Sequence, residues 1–422
     1  MPPRSAESAT PGHGMGFVQF VCLIAALMAL GALGIDSMLP NLPAIAGALG
    51  VTDENRRQLI ITCYLLGFGS AQIIYGSLAD RFGRRPVLLC GLGLYVIFSL
   101  IAALSRSFEL LLAARVLQGI GAAATRVLPV SIVRDCYSGR DMARVMSLSS
   151  TVFMAVPVLA PTFGQAVVMV APWPWIFGAL AFFGVVVLTW AALKLPETLH
   201  PEDRAPIQPA RILRAARITL SSREALGYCL AQTLVFGGLL GFINSSQQVF
   251  ADAFKAANLF PLVFAIAASF IAIASLLNAR LVVRLGMRAL SHTALLAYIA
   301  LAAIHSLVAI SGHENLVEFA ALQALTMFTF GLMSGNFNAM AMDSMGHIAG
   351  AAASIQGFIT MIGASLIGFA IGQQFHGTVT PVPVGYLVCG LCALAAVLYA
   401  EGGRLFRPHH SATDPAEISL AH

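Results

Sequence analysis

Charged residues are scarce in this chain. Asp, Glu, Lys and Arg make up only 10% of its 422 residues, whereas 58% are hydrophobic and the mean hydropathy is +0.83. A soluble domain carries about 25% charged residues, because its surface must be hydrated. The composition therefore excludes an ordinary soluble protein and indicates that most of the surface faces lipid.

Residue clusters that hold metals or perform covalent chemistry are also missing from the sequence. The ten histidines are scattered along the chain, and no paired site is evident among them. Cys389 and Cys392 have redox spacing, but they lie in an apolar run without a histidine or an acid, which favours a packing role. We therefore expect no metal site, and a membrane enzyme is the least favoured class.

Long apolar runs are what the chain has in abundance. A membrane-spanning helix needs roughly 20 apolar residues, and twelve runs meet that length. Their predicted bounds are 16–39, 57–79, 86–105, 109–133, 144–171, 174–194, 225–249, 258–279, 289–311, 315–338, 348–374 and 384–404. The sequence thus predicts an all-α integral membrane protein with twelve spanning helices.

The basic residues follow the topology of these runs. Arginine and lysine concentrate at one set of alternate ends, so the positive-inside rule predicts that both termini are cytoplasmic. The net charge of +5 is therefore not a sign of nucleic-acid binding. The predicted parts are a cytoplasmic tail 1–15, a six-helix bundle 16–194, a cytoplasmic linker 195–224, a second bundle 225–404 and a cytoplasmic tail 405–422.

The linker contains a basic amphipathic stretch. Residues 212–220 are predicted to form a short helix on the inner leaflet, held by arginines and anionic lipid. A tether between the two bundles is the favoured role, and a regulatory role is the alternative.

A charged hairpin joins the second and third predicted spans. The stretch GSLADRFGRR contains Gly76, Asp80, Arg81, Gly83, Arg84 and Arg85. The glycines let the backbone turn, and the aspartate can accept charge-assisted hydrogen bonds. A simple anchor of positive charge explains the arginines but not the spacing of the glycines and the aspartate.

The hairpin has a weaker second copy. A shift of 203 positions lays Arg81, Gly83 and Arg85 over Arg284, Gly286 and Arg288, whereas Asp80 falls on Val283. This repetition predicts two related six-helix halves.

Ionisable residues also lie inside the predicted spans. A charge at membrane depth costs about 2.5–3.5 kcal/mol, so Asp36 in the first span and Arg115 in the fourth are functional candidates. We expect Asp36 to carry a proton and to meet Arg115 directly or through water. The alternatives are that Asp36 only caps its helix, or that the two form a static ion pair.

Uncharged polar residues mark a candidate substrate cavity. They are mixed with methionine, which suits varied apolar ligands, although each residue alone is more often an interhelical contact. The candidates are Tyr64, Gln118, Arg126, Gln232, Asn244, Gln247, Asn336 and Gln356. For Arg126, pairing with Asp135 is the alternative.

Three motifs resemble those of a known family. The pattern G-x-L-A-D-R-x-G-R-R resembles the loop between helices two and three of the major facilitator superfamily, where it works as a cytoplasmic latch. The run R-x-x-Q-G-x-G from Arg115 resembles a fourth-helix motif of proton-coupled exporters, in which the arginine takes part in proton relay. Pro157, Pro161 and Gly164 in PVLAPTFGQ resemble the antiporter motif of the bicyclomycin and chloramphenicol resistance (Bcr/CflA) subfamily.

Other stretches both agree with that subfamily and depart from it. IDSMLPNLP, WPWIF and LPETL are similar to its sequences. Gln165 stands where a second glycine is usual, and an aromatic residue is missing near Met38. These departures bear on the substrate range more than on the mechanism.

The resemblance implies a major facilitator fold with two pseudo-symmetric six-helix bundles. It implies a monomer in the bacterial inner membrane that exports a small amphipathic compound in exchange for protons by alternating access. The proton-motive force would drive export without a cofactor, and the hairpin would form the gate with Arg134 or Arg144 and the start of the eleventh span. The alternatives are an importer or a uniporter with the same fold.

Overall fold

The computed structural model describes residues 14–206 and 209–406, and the part of the chain that it describes contains fourteen α-helices and no β-strand. The helices are α1 (Phe17–Asp36), α2 (Leu42–Ala48), α3 (Leu59–Phe82), α4 (Arg84–Ala103), α5 (Phe108–Cys136), α6 (Gly139–Val170), α7 (Pro174–Lys194), α8 (Pro209–Ser221), α9 (Arg223–Gln248), α10 (Phe260–Leu285), α11 (Met287–Ile310), α12 (Leu316–Asp343), α13 (Ala349–Gln373) and α14 (Pro381–Ala400).

Twelve stretches of the described residues are long and apolar enough to cross a membrane, which confirms the predicted number. They contain α1, α3 to α7 and α9 to α14, while α8 is a separate short helix. Helix α6 begins at Gly139, five residues before the predicted start, because a helix satisfies its own backbone hydrogen bonds and can continue past the hydrocarbon. Most of both predicted tails, residues 1–13 and 407–422, and linker residues 207–208 lie outside the described residues.

The helices pack as two bundles of six spans. In the first, α5 packs against α3 and α4, α4 against α7, and α1 against α6; in the second, α9 packs against α13 and α14, and α12 against α10 and α11. The bundles meet along α3 with α13 and α6 with α10. At the α3–α5 crossing a Cβ on Gly67 would lie 2.0 Å from the carbonyl oxygen of Val116, so only glycine permits this approach.

The two halves repeat the same turn. Gly83 ends α3 and Gly286 ends α10, with φ/ψ of 103°/155° and 80°/155°. A positive φ of this kind favours glycine. The turns are 203 residues apart, which is the offset predicted from the sequence.

The two ends of the bundle carry different parts of the chain. We call the end that carries residues 14–16, the described linker residues 195–206 and 209–222, and residues 401–406 the linker side, and the opposite end the far side. The hairpin at Gly83 lies on the linker side because α3 and α4 meet there, whereas α1 carries Asp36 to the far side.

Candidate functional site

Asp36 is the last residue of α1 and lies inside the protein. It is 5% exposed, and its Oδ1 atom has no hydrogen-bond partner. The chain then continues through a 3₁₀ turn, Leu39–Asn41, which includes Pro40, into the short helix α2. The helix therefore ends four residues before Pro40, and the acid is not on the lipid-facing surface.

Arg115 is held by three neutral acceptors. It is fully buried, and its Nε, Nη1 and Nη2 atoms donate to the Ile60 carbonyl at 3.0 Å, to Gln118 Oε1 at 2.5 Å and to the Gly34 carbonyl at 2.8 Å. Its guanidinium also lies 4.2 Å from the ring centroid of Tyr64. Hydrogen bonds and the aromatic face together stabilise a buried cation.

Asp36 and Arg115 are neighbours but not an ion pair. The arginine bonds to the backbone of Gly34, two residues before Asp36, and its three donating nitrogens are engaged with other groups. Neither the expected direct meeting nor the alternative static ion pair is formed in this conformation. The geometric reason is that a carbonyl at the end of α1 reaches the guanidinium first.

Two of the expected cavity residues belong to this arginine. Tyr64 donates from its hydroxyl to the Gly31 carbonyl at 3.1 Å, which fixes the ring beneath Arg115. Gln118 accepts from Arg115 and donates to Ser99 Oγ at 2.6 Å. In this conformation both side chains hold Arg115, and neither is a free ligand contact.

The proline-containing helix α6 presses on the end of α1. A Cβ at Gly164 would lie 1.5 Å from the Ser37 carbonyl oxygen, and Asn41 Nδ2 donates to the Gly164 carbonyl at 3.1 Å. Pro157 and Pro161 lie within the same helix, and Pro161 is buried. Gly164 therefore fixes the backbone directly after Asp36.

The charged hairpin forms one cluster on the linker side. Arg84 donates to Asp80 Oδ1 at 2.5 Å and to Asp135 Oδ2 at 3.0 Å, and it is 4% exposed. Arg85 donates to the Ala192 carbonyl at 2.6 Å. Predicted gate residue Arg81 is outside this cluster, exposed over the ring of Phe82.

Glu197, from the LPETL stretch, completes this cluster. Its carboxylate accepts the backbone N–H groups of Arg84 at 2.8 Å and Arg85 at 3.3 Å, at the N-terminus of α4. A Cβ at Gly83 would lie 2.3 Å from Glu197 Oε2, so the glycine makes room for the acid. An anion at a helix N-terminus is stabilised by the unpaired N–H groups and the helix dipole.

The alternative pairing of Arg126 with Asp135 and the expected gate contacts of Arg134 and Arg144 are not formed in this conformation. Asp135 does not pair with Arg126, because Arg84 and the Thr198 hydroxyl occupy its Oδ2 atom. Arg134 is exposed, and Arg144 lies over the ring of Phe17, so the contact from the span-four end is the acid Asp135. The start of α13 does approach, since a Cβ at Gly76 would lie 3.4 Å from Ser354 Oγ.

The second bundle has a counterpart built from different residues. Arg288 donates to Glu401 Oε1 at 2.6 Å and also bonds to Glu224, and Tyr228 donates to the same Oε1 atom at 2.5 Å. Burial raises the pKa of Glu401, but the hydrogen bonds from Tyr228 and Arg288 outweigh it and hold that pKa below the usual range. An acid that follows the last helix thus serves the hairpin in both bundles, Glu197 in the first and Glu401 in the second.

A cluster of amides joins the two bundles on the far side. Gln58 donates to Gln248 Oε1 at 2.6 Å, and Gln248 donates to Asn55 Oδ1 at 2.7 Å. Gln373 donates to the Asn55 carbonyl at 3.0 Å. We call Asn55, Gln58, Gln248 and Gln373 the far-side amide cluster, and it closes this end of the interface.

An ion pair stands beside the amide cluster. Arg57 is 6% exposed and donates to Asp252 Oδ2 at 2.6 Å, from the first bundle to the second. Neither this pair nor the amide cluster was predicted, because no local sequence signal links residues 190 to 318 positions apart.

The remaining cavity candidates fall into two groups. Asn336 exchanges hydrogen bonds with Asn278, and Gln356 donates to the Ala341 carbonyl at 2.8 Å, so both join helices. Asn244 has no partner for either side-chain polar atom, and Oε1 of Gln247 is also unpartnered. Gln232 joins α9 to α12 by donating to Ser334 Oγ at 2.9 Å, while its Oε1 atom is unpartnered. These three residues of α9 retain hydrogen-bonding capacity for a ligand.

Arg126 differs from Arg115, the buried arginine of the same helix. It is exposed ten positions before the end of α5, and its guanidinium lies 5.9 Å from the ring centroid of Phe153 on α6. An exposed arginine in a spanning helix beside an aromatic ring can contact a ligand that enters between α5 and α6.

Comparison with known proteins identifies the family. The sequence model of the Major Facilitator Superfamily matches residues 21–368. The chain belongs to this superfamily. The charged hairpin, the glycine-rich crossing and the repeated halves described above are therefore features of a major facilitator.

Its relatives include transporters named for drug resistance. The chain is 31% identical over 373 residues to the uncharacterized MFS-type transporter YdgK of Bacillus subtilis, covering 87% of this chain and 90% of that protein. It is 27% identical over 383 residues to the bicyclomycin resistance protein homolog of Haemophilus influenzae, covering 90% and 94%. The crystal structure of a D-xylose–proton symporter has a TM-score of 0.71 at 14% identity, covering 91% and 96%, which shows the shared fold.

Proposed function

We propose that this major facilitator exports small amphipathic compounds in exchange for protons, with its linker side in the cytoplasm. Asp36 carries the proposal. It is a buried carboxyl group at the end of α1 with one oxygen unpartnered, two residues from a carbonyl that a buried arginine holds. A lone carboxylate without water is unfavourable, so such a group gains or loses a proton as its hydration changes.

Arg115 supplies a fixed charge rather than a moving one. Its three hydrogen bonds tie it to α1, α3 and Gln118, so it keeps its place when the acid changes state. A nearby cation favours the carboxylate whenever water reaches Asp36, and burial favours the neutral acid. Opening one side of the protein at a time would therefore change the protonation of Asp36.

The direction of transport follows from this cycle. Asp36 takes up a proton when the far side is open and releases it when the linker side is open. Each elementary charge that moves through the membrane gains about 2.3 kcal/mol per 100 mV, which can drive export of the other substrate. The transporter needs no cofactor for this exchange.

The unpartnered amide side chains of α9 support an uncharged substrate with apolar parts. Asn244 and Gln247 offer neutral donors and acceptors, and Phe236 and Phe330 stack 6.3 Å apart in the same bundle. The likeness to a bicyclomycin resistance protein homolog supports a drug or metabolite of this kind.

Efflux from cells that express the full chain tests the proposal. A growth-inhibition panel first finds an exported compound, and its efflux is then measured with and without a proton uncoupler. We expect Asp36→Asn to abolish uncoupler-sensitive efflux, whereas the control Asp53→Asn, an exposed far-side aspartate, retains it. Normal resistance in the Asp36→Asn variant would overturn the assignment, and efflux that ignores the uncoupler would indicate a uniporter.

A further inference from the structure

Helix α8 leaves an unusual surface on the linker side of the second bundle. Leu213 is 72% exposed and Leu220 is 47% exposed, and Arg214 and Arg217 are exposed beside them. Leu213, Arg217 and Leu220 follow a spacing of four and three residues, so they share one face of the helix. We call these four residues the α8 outer face.

The opposite face of α8 is fastened to the protein. Ala215 is 3% exposed and Thr219 is 1% exposed, with the Thr219 hydroxyl 4.0 Å from the sulfur of Met345. Ile218 packs with the buried residues Ala225 and Ala352, which belong to α9 and α13. Helix α8 therefore packs on its own bundle through the opposite face, and the exposed leucines take no part in that contact.

The position of α8 brings its outer face to the membrane boundary. Only Ser222 separates α8 from α9, whose spanning stretch starts at Arg223, and Ser222 Oγ accepts the Ala225 N–H at 3.3 Å. The C-terminal end of α8 is therefore one residue from a membrane-spanning helix. Exposed leucines on a helix that adjoins a membrane span are favourable in the acyl region and unfavourable in water.

We propose that the α8 outer face binds an anionic phospholipid, with Leu213 and Leu220 in the acyl region and Arg214 and Arg217 on the phosphate. The occupant follows from charge complementarity, because two arginines flank two apolar side chains without a carboxylate among the four. Guanidinium groups pair well with phosphate oxygens, and anionic lipid headgroups attract such residues. The site lies outside the transport path and does not depend on the substrate.

Lipid binding to the purified, delipidated full chain tests this site. Native mass spectrometry would measure binding of phosphatidylglycerol and of phosphatidylcholine with the same acyl chains. We expect the wild type to prefer phosphatidylglycerol, and R214Q/R217Q to weaken that lipid about 30-fold but phosphatidylcholine much less, because choline neutralises the charge of its phosphate. A melting temperature equal to that of the wild type shows that the variant is folded.

Two further variants separate the contributions. L213S/L220S should weaken both lipids to a similar extent, because acyl contact does not depend on the headgroup. R140Q/R204Q removes two exposed linker-side arginines from elsewhere and should leave phosphatidylglycerol binding unchanged. Equal losses in R214Q/R217Q and R140Q/R204Q would reduce the effect to net charge and overturn the site, as would wild-type affinity in R214Q/R217Q.

Discussion

The contact between Gly164 and Ser37 gives the sharpest test of how α6 controls the candidate proton site. A Cβ at position 164 would lie 1.5 Å from the Ser37 carbonyl oxygen, while ordinary contact begins at 3.4 Å. Gly164→Ala therefore requires the two backbones to part by about 1.9 Å, and overpacking of this kind costs roughly 1–3 kcal/mol. The movement would also break the Asn41–Gly164 hydrogen bond and displace Asp36.

We expect Gly164→Ala to lower the melting temperature of the purified protein and to reduce proton-driven efflux strongly. The matched control is Gly93→Ala in α4, where a Cβ would meet no atom within 4 Å. Both changes gain about 0.5–1 kcal/mol of helix preference, so their difference isolates the steric effect. If both variants melted and transported alike, the inferred close packing of α6 on α1 would be refuted.

The remaining predictions concern the two ends of the bundle. Asp80→Asn removes a 51%-exposed acid of the hairpin, so it should slow maximal efflux with little change in substrate affinity or stability, and an unchanged rate would remove the gate role. Glu197→Gln should lower the unfolding free energy by about 1–2 kcal/mol, measured by thermal melting, because a charge leaves a helix N-terminus; a neutral effect would contradict that capping role. Gln58→Leu combined with Gln373→Leu should favour opening of the far side, measured as faster labelling of Asn244→Cys by an impermeant maleimide. Equal labelling with and without these two changes would argue against the far-side amide cluster holding this end closed.

At the charged hairpin, the local sequence pattern predicted the turn but not all of its partners. The glycines and the charges of residues 76–85 predicted a tight turn, and Gly83 adopts it with positive φ. Of the three acids that hold Arg84, only Asp80 lies in the hairpin, whereas Asp135 and Glu197 were not predictable because they lie 51 and 113 positions from Arg84. Only the packing of α5 and the segment after α7 against α4 brings them there.

At the candidate proton site, too, one part was predictable from the sequence and another depended on helix packing. An aspartate in an apolar run can be recognised as a functional candidate from the sequence alone, since a charge at membrane depth is rare and costly. That Arg115 bonds to Gly34 rather than to Asp36 depends on the rotation of α1 against α5, which no sequence spacing gives. The direct form of the expected meeting between Asp36 and Arg115 is absent for this reason, and a meeting through water stays a prediction.

The sequence by itself determined the twelve spans, the repeated halves and the position of the buried acid. Hydropathy, charge and glycine content are properties of short segments, so they act before any tertiary contact forms. Tertiary structure alone decided the far-side amide cluster, the contacts of Asp135 and Glu197 with Arg84, and the close approach of Gly164 to Ser37. Each of these joins residues at least 51 positions apart, and their meeting depends on how whole helices pack.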